Sequence, residues 1–167
     1  YNARNASSGY NAQNASSGYN ARNASSGYNA QNASSGYNAR NASSGYNAQN
    51  ASSGYNARNA SSGYNAQNAS SGNYAQNASS GNYARNETMG RNSITFDCGF
   101  RSISKSVNGT WISLAEYEKI DDKWVPCFAL SGQIGNENYK DSLGNTLSEN
   151  EWYMLINKQF TPIILDD

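Results

Sequence analysis

The sequence predicts an all-β, fibrous fold in which a shaft of nine-residue repeats carries a small C-terminal β head. The sequence Tyr-Asn-Ala-Arg/Gln-Asn-Ala-Ser-Ser-Gly occurs eight times between residues 1 and 72, and two altered copies follow at 73–81 and 82–90. A strict short repeat is typical of a quasi-one-dimensional protein whose length is set by copy number. Residues 91–167 lack the repeat and hold all three Trp, all four Phe and both Cys. We therefore place a domain boundary between the shaft, 1–90, and the head, 91–167.

Within the shaft, each repeat is predicted to form a short strand over Tyr-Asn-Ala-Arg/Gln-Asn-Ala. Ser-Ser-Gly then forms a turn in which Gly can adopt positive φ. An α-helix is disfavoured because Gly recurs every nine residues and because Asn and Ser compete for backbone hydrogen bonds. A collagen helix is excluded because only Gly fits at its axis, and two of the three small sites in each repeat are Ala. A trimer of helices stays as the alternative.

The assembly of the shaft follows from its poor apolar content. Such repeats bury too little apolar surface to offset a backbone entropy of roughly 1–2 kcal/mol per residue. The shaft could be a solenoid built from one chain or a fibre intertwined from several chains. We favour the second arrangement and expect a homotrimer.

The fourth position of the repeat alternates between Arg and Gln through residue 67. If consecutive repeats stack, this alternation separates arginines that would repel each other at a strand spacing of about 4.8 Å. If one coil held two repeats, all arginines would fall into one column. Duplication of an 18-residue unit in the gene explains the alternation equally well.

Composition argues against several classes of function. The chain has no net charge and a mean hydropathy of −0.84. No block of like charge indicates a nucleic-acid partner, and no apolar stretch or signal peptide indicates insertion into a membrane. There is no His, which removes most catalytic triads and the commonest metal ligand. Two Cys alone cannot form a structural zinc site. We expect no enzyme activity, no metal and no cofactor.

The head is predicted to consist of strands joined by tight turns, with a polar loop at 132–151. Asn108-Gly109 is a strong hairpin signal between 100–107 and 110–117. Further hairpins are expected around 121–123 and 157–159, with Pro162 on an edge strand. The remaining predicted strands are 94–98, 117–120, 124–130, 152–156 and 160–165.

Binding candidates lie in the polar loop, because loops carry function and because Asn and Asp suit polar recognition of glycans. Exposed aromatic residues of the head are the other candidates, since they can stack on sugars or anchor a protein. The candidates are Asn136, Asn138, Tyr139, Lys140, Asp141 and Trp152.

Two further features have open interpretations. Cys98 and Cys127 are compatible with a disulfide in an oxidising compartment or with two buried thiols. Asn-Ala-Ser is an N-glycosylation sequon in nine repeats, Asn5 through Asn77, and it is kept as Asn86-Glu87-Thr88. In a secreted eukaryotic protein this would predict a stalk coated with glycans. The other interpretation, which we favour, is that these residues pack the shaft.

The layout of a low-complexity shaft followed by a compact β tip resembles bacteriophage tail fibres and trimeric adhesins. The resemblance covers the organisation of the whole chain and no single motif. It implies a structural fibre on a virion or cell exterior, whose tip binds a host cell-surface receptor such as a glycan. The alternative is a purely structural extracellular fibre or solenoid whose head is a trimerisation clamp.

Overall fold

The chain winds into a two-layered β-solenoid, seen in a computed structural model that describes residues 2–165. Each coil takes 18 residues, because Arg4 pairs with Arg22 and Gln13 pairs with Gln31. One coil therefore contains two nine-residue segments, one in each sheet. The prediction of an all-β fold is confirmed, and the predicted nine-residue structural repeat is corrected to 18. The described residues contain no helix, which rules out the helical alternative for the shaft.

Sixteen strands make up the described part of the chain. They are β1 Arg4–Ser8, β2 Gln13–Ser16, β3 Arg22–Ser26, β4 Gln31–Ser34, β5 Arg40–Ser43, β6 Gln49–Ser52, β7 Arg58–Ser61, β8 Gln67–Ser70, β9 Gln76–Ser79, β10 Arg85–Thr88, β11 Ile94–Asp97, β12 Ile103–Ser106, β13 Trp111–Ile120, β14 Lys123–Gln133, β15 Trp152–Ile156 and β16 Gln159–Ile163.

The strands form two eight-stranded sheets that face each other. The first sheet has the order β1-β3-β5-β7-β9-β11-β13-β14, and the second has the order β16-β15-β12-β10-β8-β6-β4-β2. Up to β13 in the first sheet and β12 in the second, neighbouring strands are parallel. All of these ladders form within one chain, so strand pairing needs no intertwined partner chains.

The strands begin three residues later than predicted. They start at the Arg or Gln of the repeat and end at a Ser, whereas Gly-Tyr-Asn forms the turn. The position of the strand within the repeat is determined by which side chains can face inward. The Ala before Arg or Gln, the second Asn and the first Ser are inside, whereas Arg or Gln, the second Ala and the second Ser face solvent. This alternation is the period-two pattern of a strand with one buried face.

The solenoid interior is held together by ladders of identical Asn side chains. Asn41 Nδ2 donates to Asn59 Oδ1, one coil further along the same sheet, over 3.1 Å. The same nitrogen donates to the carbonyl oxygen of Ala51 in the opposite sheet over 2.8 Å. Each Asn thus bonds along the rod and across it, and a stacked ladder lets a narrow polar core satisfy its amide groups.

Glycine is required in the turns because the coils approach each other closely, and not because of positive φ. A Cβ atom on Gly63 would lie 1.5 Å from the carbonyl oxygen of Gly45, one coil below. Gly54 would place its Cβ atom 1.7 Å from the carbonyl oxygen of Gly36. Among the repeat glycines in the described residues, only Gly9 has positive φ. The predicted conformational reason for Gly therefore holds for one repeat and fails for the others.

Tyr residues stack along both edges of the solenoid. The rings of Tyr28 and Tyr46 lie 4.9 Å apart with 5° between their planes. Stacking continues at Tyr64, which lies 4.9 Å from Tyr46. The column then passes to Tyr83, at 5.0 Å, and on to Phe100, which is edge-on to Tyr83. Aromatic side chains therefore cover the turns along the length of the rod.

The parallel ladders run past residue 90, where the sequence repeat was predicted to end. β11 pairs with β9, and β12 pairs with β10. β13 then pairs with β11. Residues 91–113 therefore add strands to the same two sheets, and their inward positions hold Ser and Thr together with Asp97 and Ile112. The non-repetitive architecture begins after these strands.

The C-terminal part covers the last coil with two antiparallel hairpins. β13 and β14 join through Asp121 and Asp122, both with positive φ, and β15 and β16 join through Asn157 and Lys158 in the same way. Two-residue turns of this kind match the twist of paired strands. Both predicted hairpins are confirmed, and Pro162 lies on the edge strand β16 as expected. A core lies beneath them, formed by Ile112, Leu114, Ile134, Leu147, Tyr153, Leu155 and Phe160.

The hairpin predicted at Asn108-Gly109 is wrong. The segment before it, β12, lies in the second sheet, and the segment after it, β13, lies in the first sheet. Asn108 and Gly109 therefore form the turn between two sheets of one coil, and β12 does not pair with β13. The parallel register inherited from the preceding coils overrides the local turn signal.

Candidate functional site

The loop between β14 and β15, residues 134–151, is the tip of the molecule and contains five of the six predicted binding residues. We call this segment the tip loop. Asp141 is buried and organises its centre, because its carboxylate accepts hydrogen bonds from the backbone N–H groups of Leu143 and Asn145, each over 2.9 Å. The Ser142 N–H donates to the carbonyl oxygen of Phe160 over 2.7 Å. Asp141 therefore helps to hold the backbone of the tip loop in place.

Three other predicted residues present polar groups at the surface of the tip loop. Lys140 is exposed and donates from Nζ to Thr146 Oγ1 over 2.9 Å. Asn138 is exposed, and its N–H donates to Asn136 Oδ1 over 3.0 Å. Asn136 Nδ2 donates in turn to Gln133 Oε1 over 3.0 Å. These bonds fix the loop backbone and leave the Asn138 side chain facing solvent.

Tyr139 connects the tip loop to the first sheet. Its ring lies 5.4 Å from the ring of Trp111 in an edge-to-face arrangement, and it packs against the apolar core. Trp111 is 38% exposed, and the neighbouring outward side chains Ile94 and Phe96 are 51% and 48% exposed. These three residues form an apolar patch on the outer face of the first sheet, which we call the apolar patch. Ile94 and Phe96 were not among the residues that the sequence predicted for binding.

Trp152 lies apart from the tip loop, on the outer face of the second sheet. Lys105 Nζ lies 5.1 Å from the centroid of the Trp152 ring, a cation–π geometry. The same ammonium group forms a salt bridge of 2.7 Å with Glu87. The structure therefore divides the predicted site between two surfaces, and it gives Trp152 a packing role beside an ion pair.

Both cysteines are free thiols. Cys98 is partly buried beside the first sheet and Cys127 is exposed on β14. Burial raises the pKa of the Cys98 thiol, and the nearby Asp97 carboxylate adds to this effect. A raised pKa lowers the fraction of reactive thiolate at neutral pH.

Asp97 is an ionisable group inside the solenoid that sequence reasoning missed. It occupies the inward position that Ser79 holds one coil below, and its side chain is buried. Ser79 Oγ, Ser104 Oγ and Asn86 Nδ2 all donate hydrogen bonds to its carboxylate. Burial raises the pKa of Asp97 to about 7, even though the three donors favour the charged form. The nine-residue spacing from Thr88 to Asp97, continued through residue 90, is the signal that could have found it.

The Asn residues of most sequons are buried in the solenoid. From Asn23 through Asn86 these side chains are at most 3% exposed, and Nδ2, the atom that would carry a glycan, donates hydrogen bonds inside the core. A glycan cannot occupy that position in the folded coil. The structure therefore favours packing as the reason why the repeat contains Asn-Ala-Ser.

Within residues 2–165, no group of three or more His, Cys, Asp or Glu side chains is placed to hold a metal ion. The same residues contain no helix long and apolar enough to span a membrane. Comparison of the chain with protein-family models, with curated proteins and with solved structures finds no match.

Proposed function

We propose that the protein is a structural fibre of the tail-fibre or adhesin type, located on a cell exterior or virion surface, whose tip loop contacts a host cell-surface receptor. The observation that carries this proposal is the layout of the solenoid. An uninterrupted, in-register rod ends in one non-repetitive element, and that element displays a loop with a hydrogen-bonded backbone and exposed polar side chains.

Rigidity supports the role of the rod as a spacer. Every strand of the repeat region is hydrogen-bonded to its neighbour one coil away, and side-chain ladders run beside the backbone ladders. Six steps of the first sheet separate β1 from β13, which corresponds to roughly 30 Å at about 4.8 Å per step. More copies of the repeat would lengthen such a rod without changing its cross-section.

The test of the tip is a double variant, Asn138→Ala with Lys140→Ala, in the full chain. Both side chains are exposed, so the variant should fold normally. We expect binding to a printed array of cell-surface glycans to fall, because polar recognition by a loop depends on such groups. The matched control is Lys119→Ala with Asp122→Ala, which removes an exposed salt bridge of 2.7 Å at the neighbouring hairpin. Equal binding by both double variants would end the receptor-binding proposal for this loop.

The competing function is an assembly clamp. The hairpins β13–β14 and β15–β16 bury the apolar core over the last coil, so this region also terminates the solenoid. The apolar patch is a surface through which solenoids could associate side by side, since exposed apolar patches mark protein contacts. We propose a homotrimer of this kind, in which each chain completes its own coils.

Native mass spectrometry of the full chain tests the assembly proposal. Three chains per particle are expected, and Ile94→Ser with Phe96→Ser should release single chains that retain their β-sheet circular dichroism. Ile120→Ser, which changes an exposed residue outside the apolar patch, is the control. A wild-type particle of one chain would rule out the homotrimer and the clamp, whereas the receptor-binding proposal would still depend on the glycan array.

A further inference from the structure

Four arginines form a straight column on the outer face of the first sheet. Parallel pairing places Arg4 beside Arg22, Arg22 beside Arg40, and Arg40 beside Arg58. All four side chains are exposed, and neighbouring strands in a sheet lie about 4.8 Å apart. This is the single column expected for a coil that holds two repeats. Alternation assigns Arg to one sheet and Gln to the other, because one coil contains two repeats.

The positive charge of the column is not balanced by neighbouring groups. Among residues 2–165 the salt bridges join Lys105 to Glu87 and Lys119 to Asp122, and neither involves the column. The next outward positions on the same strands are Ala and Ser. Like charges at this spacing repel one another, and the repulsion grows as the salt concentration falls. A bound polymer of negative charge would relieve it.

The column forms one wall of an open groove along the rod. Its floor is a parallel column of alanines, and the groove has a volume of about 560 Å³. We call it the arginine groove. It is lined by Arg4, Arg22, Arg40 and Arg58 and by Ala6, Ala24, Ala42 and Ala60.

We propose that the arginine groove binds an extended acidic polysaccharide with one carboxylate or sulfate group on each sugar. Three features of the groove match that chemistry. The cationic groups lie on a straight line, and their spacing is close to the length of one sugar unit in an extended chain. Guanidinium groups also recognise planar carboxylates through paired hydrogen bonds.

The apolar floor supplies the second contact. The alanine methyl groups face solvent and offer an apolar surface for the C–H faces of sugar rings, in line with burial of apolar surface as a driving force.

Other polyanions fit the groove less well. Phosphates of a DNA duplex follow a helical path with about 3.4 Å per charge on each strand, so they leave a straight column within a few contacts. An acidic membrane favours a broad basic cluster, whereas the columns on either side of these arginines carry no charge. These two alternatives are outcomes of the test below.

The second sheet provides a matched control within the chain. At the same register it carries a column of Gln, formed by Gln13, Gln31, Gln49 and Gln67. Changing the four column arginines to Gln therefore makes one face resemble the other, and the chain itself already accommodates Gln at this position. A second variant keeps the composition constant by combining Arg22→Gln and Arg58→Gln with Gln31→Arg and Gln67→Arg.

The probe is polygalacturonate, which carries one carboxylate per sugar, with its methyl ester as the uncharged form of the same chain. Binding to the full-length protein is measured by isothermal titration calorimetry at low and at physiological salt. Wild type should bind the acid form and not the ester, and added salt should weaken binding. The variant with four Gln should bind about tenfold or more weakly, since four exposed charge contacts are removed. The variant of constant composition should also bind weakly, because it divides the column between two faces.

Several results would overturn the proposal. One is equal affinity of wild type and the variant with four Gln, and another is equal binding of the ester and the acid. Equal affinity of wild type and the constant-composition variant would show that net charge matters and the column does not. Tighter binding of a single-stranded oligonucleotide or of acidic phospholipid vesicles would assign the surface to nucleic acid or membrane. Far-UV circular dichroism of each variant establishes that the coils are intact.

Discussion

Between residues 22 and 88 the interior of the molecule is lined by Ala, Asn and Ser, whereas the C-terminal cap over residues 111–163 buries Ile, Leu, Tyr and Phe. In the solenoid, repetition supplies hydrogen-bond partners, since each interior Asn from Asn5 through Asn59 donates to the identical Asn one coil away. The cap has no repetition and depends on apolar burial, for which side chains of different shape are packed together. The comparison indicates that a core of small side chains, with Ala beside Asn and Ser, relies on hydrogen-bond partners supplied by the next coil, whereas the cap relies on large apolar side chains.

The largest expected effect is a difference in how much stability the two regions lose when a glycine gains a methyl group. Gly63→Ala would place Cβ 1.5 Å from a backbone carbonyl oxygen of the coil below, and a ladder of coils cannot move to avoid it. Gly132→Ala in the cap would meet Phe160 and Leu147 side-chain atoms at 2.8 and 2.9 Å, and side chains can rotate. We expect a loss of more than about 4 kcal/mol for the first variant and about 1–3 kcal/mol for the second.

Urea denaturation of both glycine variants measures this difference. Ser62→Ala, next to Gly63 and exposed, is the control for the turn. A Gly63→Ala protein as stable as the control would show that the coils are farther apart than described.

The second prediction concerns Asp97, the one carboxylate in the polar interior among the described residues. Its pKa in the folded chain is about 7, above the usual 3.8. The protonated form is therefore favoured by folding, so its stabilisation is complete below about pH 4 and is lost as the pH rises through 7. The free energy of unfolding should fall by about 4 kcal/mol across that interval from this group alone.

Asp97→Ser is the matched variant, because Ser occupies this position one coil below. Denaturation between pH 4 and pH 8 should give a nearly flat profile for the variant. A wild-type profile that rises with pH over the same range would contradict the assignment of a raised pKa.

The third prediction tests the Asn ladder. Asn59→Ala removes hydrogen bonds to the carbonyl oxygen of Ala69 and to Asn77, at 2.9 and 3.1 Å, and leaves those buried groups without this donor. A cost of about 1–3 kcal/mol is expected. Phe160→Ala in the cap should lower the free energy of unfolding by about 3–5 kcal/mol. The cause there is a cavity in the apolar core, whereas in Asn59→Ala it is an unpaired polar group. Thermal denaturation compares the two, and an Asn59→Ala protein that is as stable as wild type would mean that the ladder contributes specificity without stability.

The smallest effect is expected for the Tyr columns. Tyr46 stacks on two neighbours at 4.9 Å, whereas Tyr10 stacks on one at 5.1 Å among the described residues. Each stacked pair contributes about 0.5–1.5 kcal/mol, so Tyr46→Ala should be destabilising by roughly twice as much as Tyr10→Ala. Differential scanning calorimetry of the two variants checks this, and equal melting temperatures would show that the extra stacked neighbour of Tyr46 adds no stability.

The sequence predicted those features that are decided locally. Asp121-Asp122 and Asn157-Lys158 each lie between alternating strands with an apolar face, and both hairpins formed as expected. Asn108-Gly109 carries a stronger turn signal and was misleading, because the strand before it was already held in the parallel ladder by β10. Local turn chemistry cannot reveal a register that is imposed from 18 residues away.

The candidate site was predicted less well, for a similar reason. Tyr139 and Lys140 could be assigned to a polar loop from composition, but the burial of Asp141 depends on the path of that loop. The arginine column depends on how many repeats make one coil, and the sequence period alone is compatible with one or two. Because successive nine-residue units lie alternately in two sheets, the outward neighbour of a residue is the residue 18 positions away and not the one nine positions away.

Because each coil contains two repeats, an even and an odd number of added repeats have different structural effects. Insertion of 18 residues would add one full revolution and leave the tip facing the same direction. Insertion of nine would turn the tip by half a revolution about the rod axis and would transfer every downstream arginine to the opposite face. Length variants of this fibre that preserve both the orientation of the tip and a continuous basic stripe must therefore differ by even numbers of repeats.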